Sequence, residues 1–565
     1  MGKKQSLMTV TSALIMTGLL LPVVSGAANS NDDYELSPGV EDAYSNLMDD
    51  PTVNDALDFI ESDHDNTIQD QIDLTEIPAP PFKEEKRAED YKERFEDLDL
   101  EDVHIDEEGN VIGNRPGNGD GPTLVISAHL DTVFPEGTDV EVEEKDGKLY
   151  APGIGDDGNG LASILTIVRA FNETNIHTTG DIMFVGTVGE EGEGDLRGVK
   201  HLFEERGDDI DGFISIEPGN VGRITHKGTG SHRYNFKYKG PGGHSFGAFG
   251  MPSPIHAMGR GISEIADLET PSDPKTTFNV GIVEGGTSVN SIAEEAIMKV
   301  DMRSNDEDEL DKLDDKVQEI VKQSVKDENK RGNEDDKISV DPEMIGDRPA
   351  GSQPDDATNV QAAWASAEAI GEEPNLTGPS STDSNVPISK GVPALTLGGG
   401  GEKGNTHSTD EWFDPTDSYL GAQRILMTAL GLVGVEDVND PILDEEDGDD
   451  GDDDNDGPKI ENLEPAEDLD LQTGDSVKIE MDSEAGLHPT FSIRMPLVST
   501  DAKDSSKNEF PMKETSEGHY VGYWTVPSNL KAEGAEPQVM ISDKDGNETR
   551  KEAEGKLNIN IKENN

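Results

Sequence analysis

Two histidines and several carboxylates stand where an apolar run ends or a glycine-rich loop begins, in five segments of this chain. Ser127-Ala128-His129-Leu130-Asp131-Thr132-Val133 puts His129 directly after an apolar run, with Asp131 placed to hydrogen-bond the imidazole and fix its tautomer. Gly153-Ile154-Gly155-Asp156-Asp157-Gly158 sets two acids in a glycine loop ahead of an apolar helical stretch. Gly189-Glu190-Glu191-Gly192 and Ile216-Glu217-Pro218-Gly219 follow further apolar runs, and Gly404-Asn405-Thr406-His407-Ser408 follows a run of glycines. Imidazoles mixed with carboxylates suit zinc, cobalt or manganese, and a set this rich in carboxylates allows one of them to bridge a metal pair. Adjacent glutamates add a second capability, since one can bind metal while the other serves as a base. Singly, each segment has an ordinary reading: Glu190-Glu191 as a solvated turn, Asp156-Asp157 as a helix cap. The weight lies in their joint occurrence. The glycines Gly398 to Gly401 are not a phosphate loop, because no Lys-Ser/Thr follows at the required spacing.

The elements that must position these residues alternate between strand and helix. Glu41 to Arg94 is helical and charged, broken by the loop Ile77-Pro78-Ala79-Pro80-Pro81. Pro122–Ala128, Asp181–Val188, Gly212–Ile216 and Val392–Leu397 read as buried strands, and Leu161–Phe171 and Tyr419–Val433 as helices. That alternation predicts an α/β domain with a mostly parallel sheet covered on both faces. Ligands at the carboxyl ends of such strands converge. Between residues 223 and 341 the character changes: Tyr234–Lys239 and Phe278–Val283 alternate, and Glu309–Lys326 is amphipathic, which predicts an inserted α+β domain. The expected order is a signal peptide (1–28), the first catalytic part (29–222), the insertion (223–341), the second catalytic part (342–440), an acidic linker (441–458) and a C-terminal domain (459–565).

The N-terminus reads as a secretory signal: Lys3 and Lys4, an apolar stretch from Leu7 to Val24, then Ser25-Gly26-Ala27-Ala28. The alternative is an uncleaved anchor, but Gly18 and Pro22 interrupt the stretch, and no later segment is apolar enough to span a membrane. Secretion is therefore expected, with no membrane attachment after cleavage. Lys and Arg number 46 against 120 Asp and Glu, a net charge of -74. Such a charge argues against nucleic acid and anionic membranes as partners and fits a halophilic protein whose carboxylates are screened by salt. The absence of cysteine excludes disulfides, thiolate metal sites and a lipid-modified N-terminal cysteine. Residues 444–457 form an acidic run. Asp452, Asp454, Asp456 and Gly457 match the front of a calcium loop, but Leu463 stands where a bidentate Glu is needed, so a solvated linker is the better reading. Beyond it, Val477-Ile479-Met481 and Phe491-Ile493-Met495 at period two, with the turn signal Asp545-Gly546, predict an immunoglobulin-like β-sandwich.

With its five motifs in order from about Asp55 to Val433, the sequence resembles the co-catalytic zinc peptidases and deacylases that include peptidase T, glutamate carboxypeptidase, acetylornithine deacetylase and aminoacylase. Ser381-Thr382-Asp383-Ser384-Asn385-Val386-Pro387 and Thr406-His407-Ser408 are most similar to the peptidase T branch. The resemblance implies two divalent metal ions per chain, zinc with cobalt or manganese as alternatives. It implies that His129 and Glu217 hold one ion, Glu191 and His407 the other, and that Asp156 bridges them. It further implies that Asp131 orients His129, that Glu190 is the general base, and that the Asp156–Asp157 peptide is cis. The insertion matches the family's lid, often its homodimerisation domain. Its His244, in Gly242-Gly243-His244-Ser245, corresponds to a histidine that stabilises the oxyanion, in many members across the dimer. Asn290 and Arg303 fall where members bind a substrate carboxylate or backbone. One departure is Gly158, where many members have Lys. The expected activity is hydrolysis of short peptides near a terminus. The alternatives are an amidohydrolase acting on N-acyl amino acids and a binding protein on the same fold, the latter disfavoured because no ligand or base position is lost.

Overall fold

The computed structural model describes residues 34–443 except 120 and 332–335, and residues 458–559 except 467, 488, 495–509, 517, 528–531, 543–547 and 554. The expected signal peptide, the acidic run 444–457 with its calcium-like aspartates, Met495 and the Asp545-Gly546 turn lie outside the described residues.

Four N-terminal helices, Pro38–Asp49, Pro51–Ser62, His64–Thr75 and Glu85–Asp97, take up the charged segment. The second starts cleanly because Asp50 accepts hydrogen bonds from the amides of Thr52 (2.8 Å) and Val53 (3.1 Å). The main sheet then begins with β1 (Glu101–Ile105), β2 (Val111–Arg115), β3 (Thr123–His129), β4 (Asp181–Thr187), β5 (Gly212–Glu217) and β6 (Arg223–Thr225). The chain leaves it for β7 (Gly230–Lys239), β8 (Thr276–Gly285), β9 (Glu295–Ser304) and β10 (Ser339–Arg348), and returns for β11 (Asn375–Leu376) and β12 (Ala394–Gly398). The main sheet has eight strands in the order β1-β2-β4-β3-β5-β12-β6-β11. Its centre is parallel: β3 pairs with β4 and β5, and β12 with β5.

These central strands are apolar without alternation because both faces are covered. On one face lie the N-terminal helices together with Gly158–Thr174 and Tyr419–Val433, around Ile126, Phe171, Phe184 and Leu426. On the other lies the helix Arg197–Arg206, whose Val199, Leu202 and Phe203 meet Val125, Met183 and Phe213.

The insertion is a separate layer with its own core. Its sheet runs β8-β9-β7-β10. Residues of β9 alternate strictly, with Ala296, Met298, Val300 and Met302 buried against Leu310, Val317 and Val321 of the helix Glu307–Arg331. The boundaries expected at 223 and 341 shift. Arg223–Thr225 still belongs to the main sheet, and the last insertion strand runs on to Arg348, because its pairing with β7 continues to Ser231↔Arg348. Lys227–Gly228 and Gly351–Ser352 pair with each other where the chain passes between the layers.

The described residues between 458 and 559 form a second compact unit. Its described strands make one sheet that includes Ser476–Asp482 and His519–Thr525 and another that includes Thr490–Arg494 and Ala532–Ser542. Val477, Ile479, Met481, Phe491, Ile493, Val539 and Ile541 share one core, as the period-two pattern requires. No helix among the described residues is long and apolar enough to cross a membrane.

Candidate active site

His129 and Glu217 are the last residues of β3 and β5, and Glu190 and Glu191 lie just past β4. Parallel pairing brings these three strand ends to one edge. Asp156 comes from the loop before the helix Gly158–Thr174, and His407 from a loop in which Asn405 and His407 both have positive φ (58° and 64°). The Asp156–Asp157 peptide is cis. Asp156 faces both imidazoles: Oδ1 lies 3.0 Å from His129 Nε2 and Oδ2 3.2 Å from His407 Nε2. His407 Nε2 is also 2.7 Å from Glu191 Oε1. The ligand atoms of His129, Asp156 and Glu191 lie within 4.8 Å of one another, as do those of His129, Glu190 and Glu217. All the residues expected to ligate metal or act as base therefore meet in one place.

Asp131 does a different job from the one its spacing suggests. The imidazole Nδ1 of His129 donates to the backbone carbonyl of Asp131 at 2.9 Å, which fixes the ring with Nε2 turned toward Asp156. The Asp131 carboxylate stands 3.8 Å from that ring and instead accepts the amides of Glu190 (3.1 Å) and Glu191 (2.9 Å). It ties the two strand ends together. Arg87, fully buried, donates to the carbonyls of Ile77 and Leu130 and so holds the loop after β3. Asp157 accepts the amides of Gly160 at the helix start and of His129. A Cβ at Gly158 would come within 2.6 Å of Thr75 Oγ1, which explains why no side chain stands there.

Two further residues support the site that their neighbours in sequence do not reveal. Glu411 is buried and accepts the amides of Gly153 (3.1 Å), Gly155 (3.0 Å) and Asp156 (3.1 Å), so the loop carrying His407 grips the loop carrying Asp156. Arg348, the last residue of β10, donates to the backbone carbonyl of Glu190 and to Ser381 Oγ (3.1 Å) and lies 3.5 Å from Glu190 Oε1. Asp383, quoted above only as part of a motif, accepts from Thr187 Oγ1 at 2.6 Å.

Crowding sets the electrostatics. Burial, opposed by Arg348 and reinforced by Glu191, pushes Glu190 up to about 8. Burial and the neighbouring Glu190 push Glu217 well above the carboxylate range. Asp156 goes the other way: burial is outweighed by its bonds to His129 and His407, which hold it well below its usual value. Those carboxylates in turn hold His129 well above an ordinary imidazole despite its burial, and bonds to Asp156 and Glu191 raise His407 to about 10. Glu217 Oε1 is buried without a hydrogen-bond partner among the described residues. An orphaned carboxylate oxygen, among acids that repel one another and two imidazoles, is a donor set matched to divalent cations.

The site opens into a cleft of about 390 Å³ between the main layer and the insertion. Arg303 reaches it, held by Asp301 at 2.9 Å. His244 and Asn290 do not line it. They sit together on the insertion, where the amide of Ser245 donates to the Asn290 carbonyl and both side chains are exposed.

Residues 125–430 match the model of peptidase family M20/M25/M40. Among curated proteins, the chain is 41% identical over 140 residues to Bacillopeptidase F of Bacillus subtilis, covering 25% of this chain and 9% of that protein. It is 32% identical over 173 residues to the "Probable succinyl-diaminopimelate desuccinylase" of Staphylococcus aureus, covering 29% and 42%. The chain thus spans less than half of either relative. Among solved structures, aminopeptidase PepT of Bacillus cereus is similar with a TM-score of 0.54 and 26% identity, over 65% of this chain and 97% of that one. A Staphylococcus aureus tripeptidase is similar with a TM-score of 0.55 and 25% identity, over the same shares of 65% and 97%.

Proposed function

Because this chain belongs to peptidase family M20/M25/M40, we propose that it is a two-metal hydrolase that cleaves short peptides near a terminus. The observation that carries this reading is Asp156, with one oxygen toward each imidazole, beside the unpartnered Glu217 oxygen. His129, Glu217 and Asp156 would hold one ion and Glu191, His407 and Asp156 the other. Bound there, a zinc, cobalt or manganese pair supplies Lewis-acid polarisation of the scissile carbonyl and eases deprotonation of water.

The chain's own residues supply the proton path and the alignment. Glu190 takes a proton from the attacking water and delivers it to the leaving nitrogen. Arg348 and the Asp131 carboxylate fix Glu190 through its backbone, so its carboxylate meets substrate in one orientation. His129 keeps its donor proton on Nδ1, toward the Asp131 carbonyl. His244 stabilises the developing oxyanion from a second copy of the chain. That role is supported by its exposure away from its own cleft and by the exposed Phe246, Phe249 and Val289 around it. Arg303 receives a substrate carboxylate, and Asn290 accompanies His244.

The same machinery fits removal of an acyl group from an amino acid, a second reading favoured by the similarity to the desuccinylase. Export is proposed from the basic, apolar and small-residue N-terminus, and salt-dependent activity from the net charge of -74. Protein recovered from culture medium should begin after Ala28 and gain activity with salt; an intact N-terminus, or full activity after desalting, would remove these readings. A peptide-library digest read by mass spectrometry, with metal content measured before and after chelation, tests the function. Expected are terminal cleavages, two ions per chain, loss on chelation and recovery with zinc, cobalt or manganese. Cleavage that persists in metal-free protein would sink the proposal.

A further inference from the structure

One buried acid near the proton acceptor takes no part in the proposed proton path. Asp383 is 1% exposed and does not line the cleft, so neither substrate nor solvent reaches it. Its neighbours pin it on both sides. Thr382 Oγ1 lies 2.7 Å from Thr396 Oγ1, and Ser384 Oγ donates to the Leu395 carbonyl at 2.8 Å. Asn385 Nδ2 donates to the carbonyls of Thr229 and Pro349, each at 2.9 Å, where the chain passes between the layers. Asp383 Oδ2 accepts from Thr187 Oγ1 at 2.6 Å, and Thr187 is the last residue of β4, just before the segment that carries Glu190. The other oxygen, Oδ1, is buried with no hydrogen-bond partner among the described residues. The same holds for Nε of Arg348, which is itself buried.

Two incompletely bonded, oppositely charged groups thus share one dry neighbourhood. Burial pushes Asp383 up to about 6, while the bond from Thr187 and the charges of His129 and Arg348 oppose that, so it is ionised at neutral pH. A buried carboxylate served by one neutral donor is costly unless an opposite charge answers it. On the two-metal reading His129 is committed to an ion, which leaves Arg348.

Arg348 stands between two acids. It donates to the Glu190 backbone carbonyl and to Ser381 Oγ (3.1 Å), while Glu190 Oε1 stays 3.5 Å away, at the far limit of a hydrogen bond. A close ion pair with that carboxylate would occupy the oxygen that must take the proton from water.

We propose that Asp383 is a positioning residue: its charge holds the Arg348 guanidinium back from the Glu190 carboxylate and on the Glu190 carbonyl, so the base is oriented without being neutralised. This inference rests on the two-metal hydrolase reading, in which Glu190 moves the proton, and adds the residue that keeps Glu190 free to do so.

The test uses full-length protein and the fastest peptide from the library digest, with metal content measured on the same samples. Asp383→Asn keeps the shape and can still accept from Thr187, but carries no charge. It should lower kcat by roughly tenfold and leave KM within about twofold, with two ions retained. In an Arg348→Met background the guanidinium is gone, so adding Asp383→Asn should lower kcat no further. A general loosening of the site would instead lower kcat equally in both backgrounds. If Asp383→Asn does not fold, Thr187→Val takes its place. It releases Oδ2, lets the carboxylate turn, and should lower kcat with KM unchanged and without further loss in Arg348→Met. Unchanged kcat, a rise in KM alone, loss of metal from the variant, or equal losses in both backgrounds would overturn the proposal while leaving the hydrolase intact. Chelator-resistant cleavage by the unaltered protein would take down both.

Discussion

The strand-end edge of the main sheet and the outer face of the insertion both carry residues assigned to one reaction, yet they are built in opposite ways. At the edge, the segments that carry Asp156, Glu190 and Glu191 are tied by backbone hydrogen bonds to side chains from elsewhere in the chain: Glu411 grips three amides of the Gly153–Asp156 loop and Asp131 grips two. On the insertion, His244 and Asn290 are exposed, and Nδ1 of His244 accepts only the local amides of Phe246 and Gly247. Preorganisation is therefore concentrated where charge must be gathered against repulsion. The insertion supplies groups that need a further surface to complete them.

Four substitutions break or sharpen this contrast. Glu190→Gln should lower kcat by roughly 10²–10⁴ with metal content unchanged, the range for loss of a general base; unchanged kcat would remove Glu190 from proton transfer. His244→Ala should cost about 10² in kcat, as for an oxyanion donor. If His244 works across two copies, mixing it with Glu190→Gln protein should restore part of the activity. No restoration and no loss together would return His244 to a plain surface role. Glu411→Gln puts an amide donor against backbone donors and should weaken metal binding by about 10–100-fold. The titration of metal against protein checks it, and an unaltered curve would show that the loop holds its shape unaided.

The smallest effect concerns stability. His232, in β7, lies between Asp314 (3.1 Å) and Asp347 (3.4 Å). Burial opposes its charge, but these carboxylates outweigh that and raise it to about 10. A folded-state value above the unfolded one means stability that is fully present below about pH 6.5 and lost as pH rises toward about 10. Thermal unfolding across that window should fall more steeply for the unaltered chain than for His232→Gln; parallel curves would show that the ion pairs add nothing.

Much of this was legible in the sequence. The buried strands are short apolar runs, and a residue that follows such a run can only emerge at the sheet edge, so His129, Glu190, Glu191 and Glu217 announce themselves. Supporting residues do not. Glu411 reads as one more acid in an acidic stretch, because its partners lie more than 250 positions earlier in the chain. Arg348 hides for the same reason. Asp131 was legible in place but not in use, since a spacing of two residues fits both its side chain and its carbonyl as the imidazole's partner. The insertion boundaries slipped because a strand's end is set by pairing with β7 rather than by its own composition.

Arg348 is both the last residue of the insertion's sheet and a clasp on Glu190. One side chain thus belongs to both layers. On the proposed mechanism, any displacement of the insertion against the main sheet would either carry the Glu190 backbone with it or give up that bond, so the position of the insertion and the setting of the proton acceptor could not be altered separately without altering that arginine.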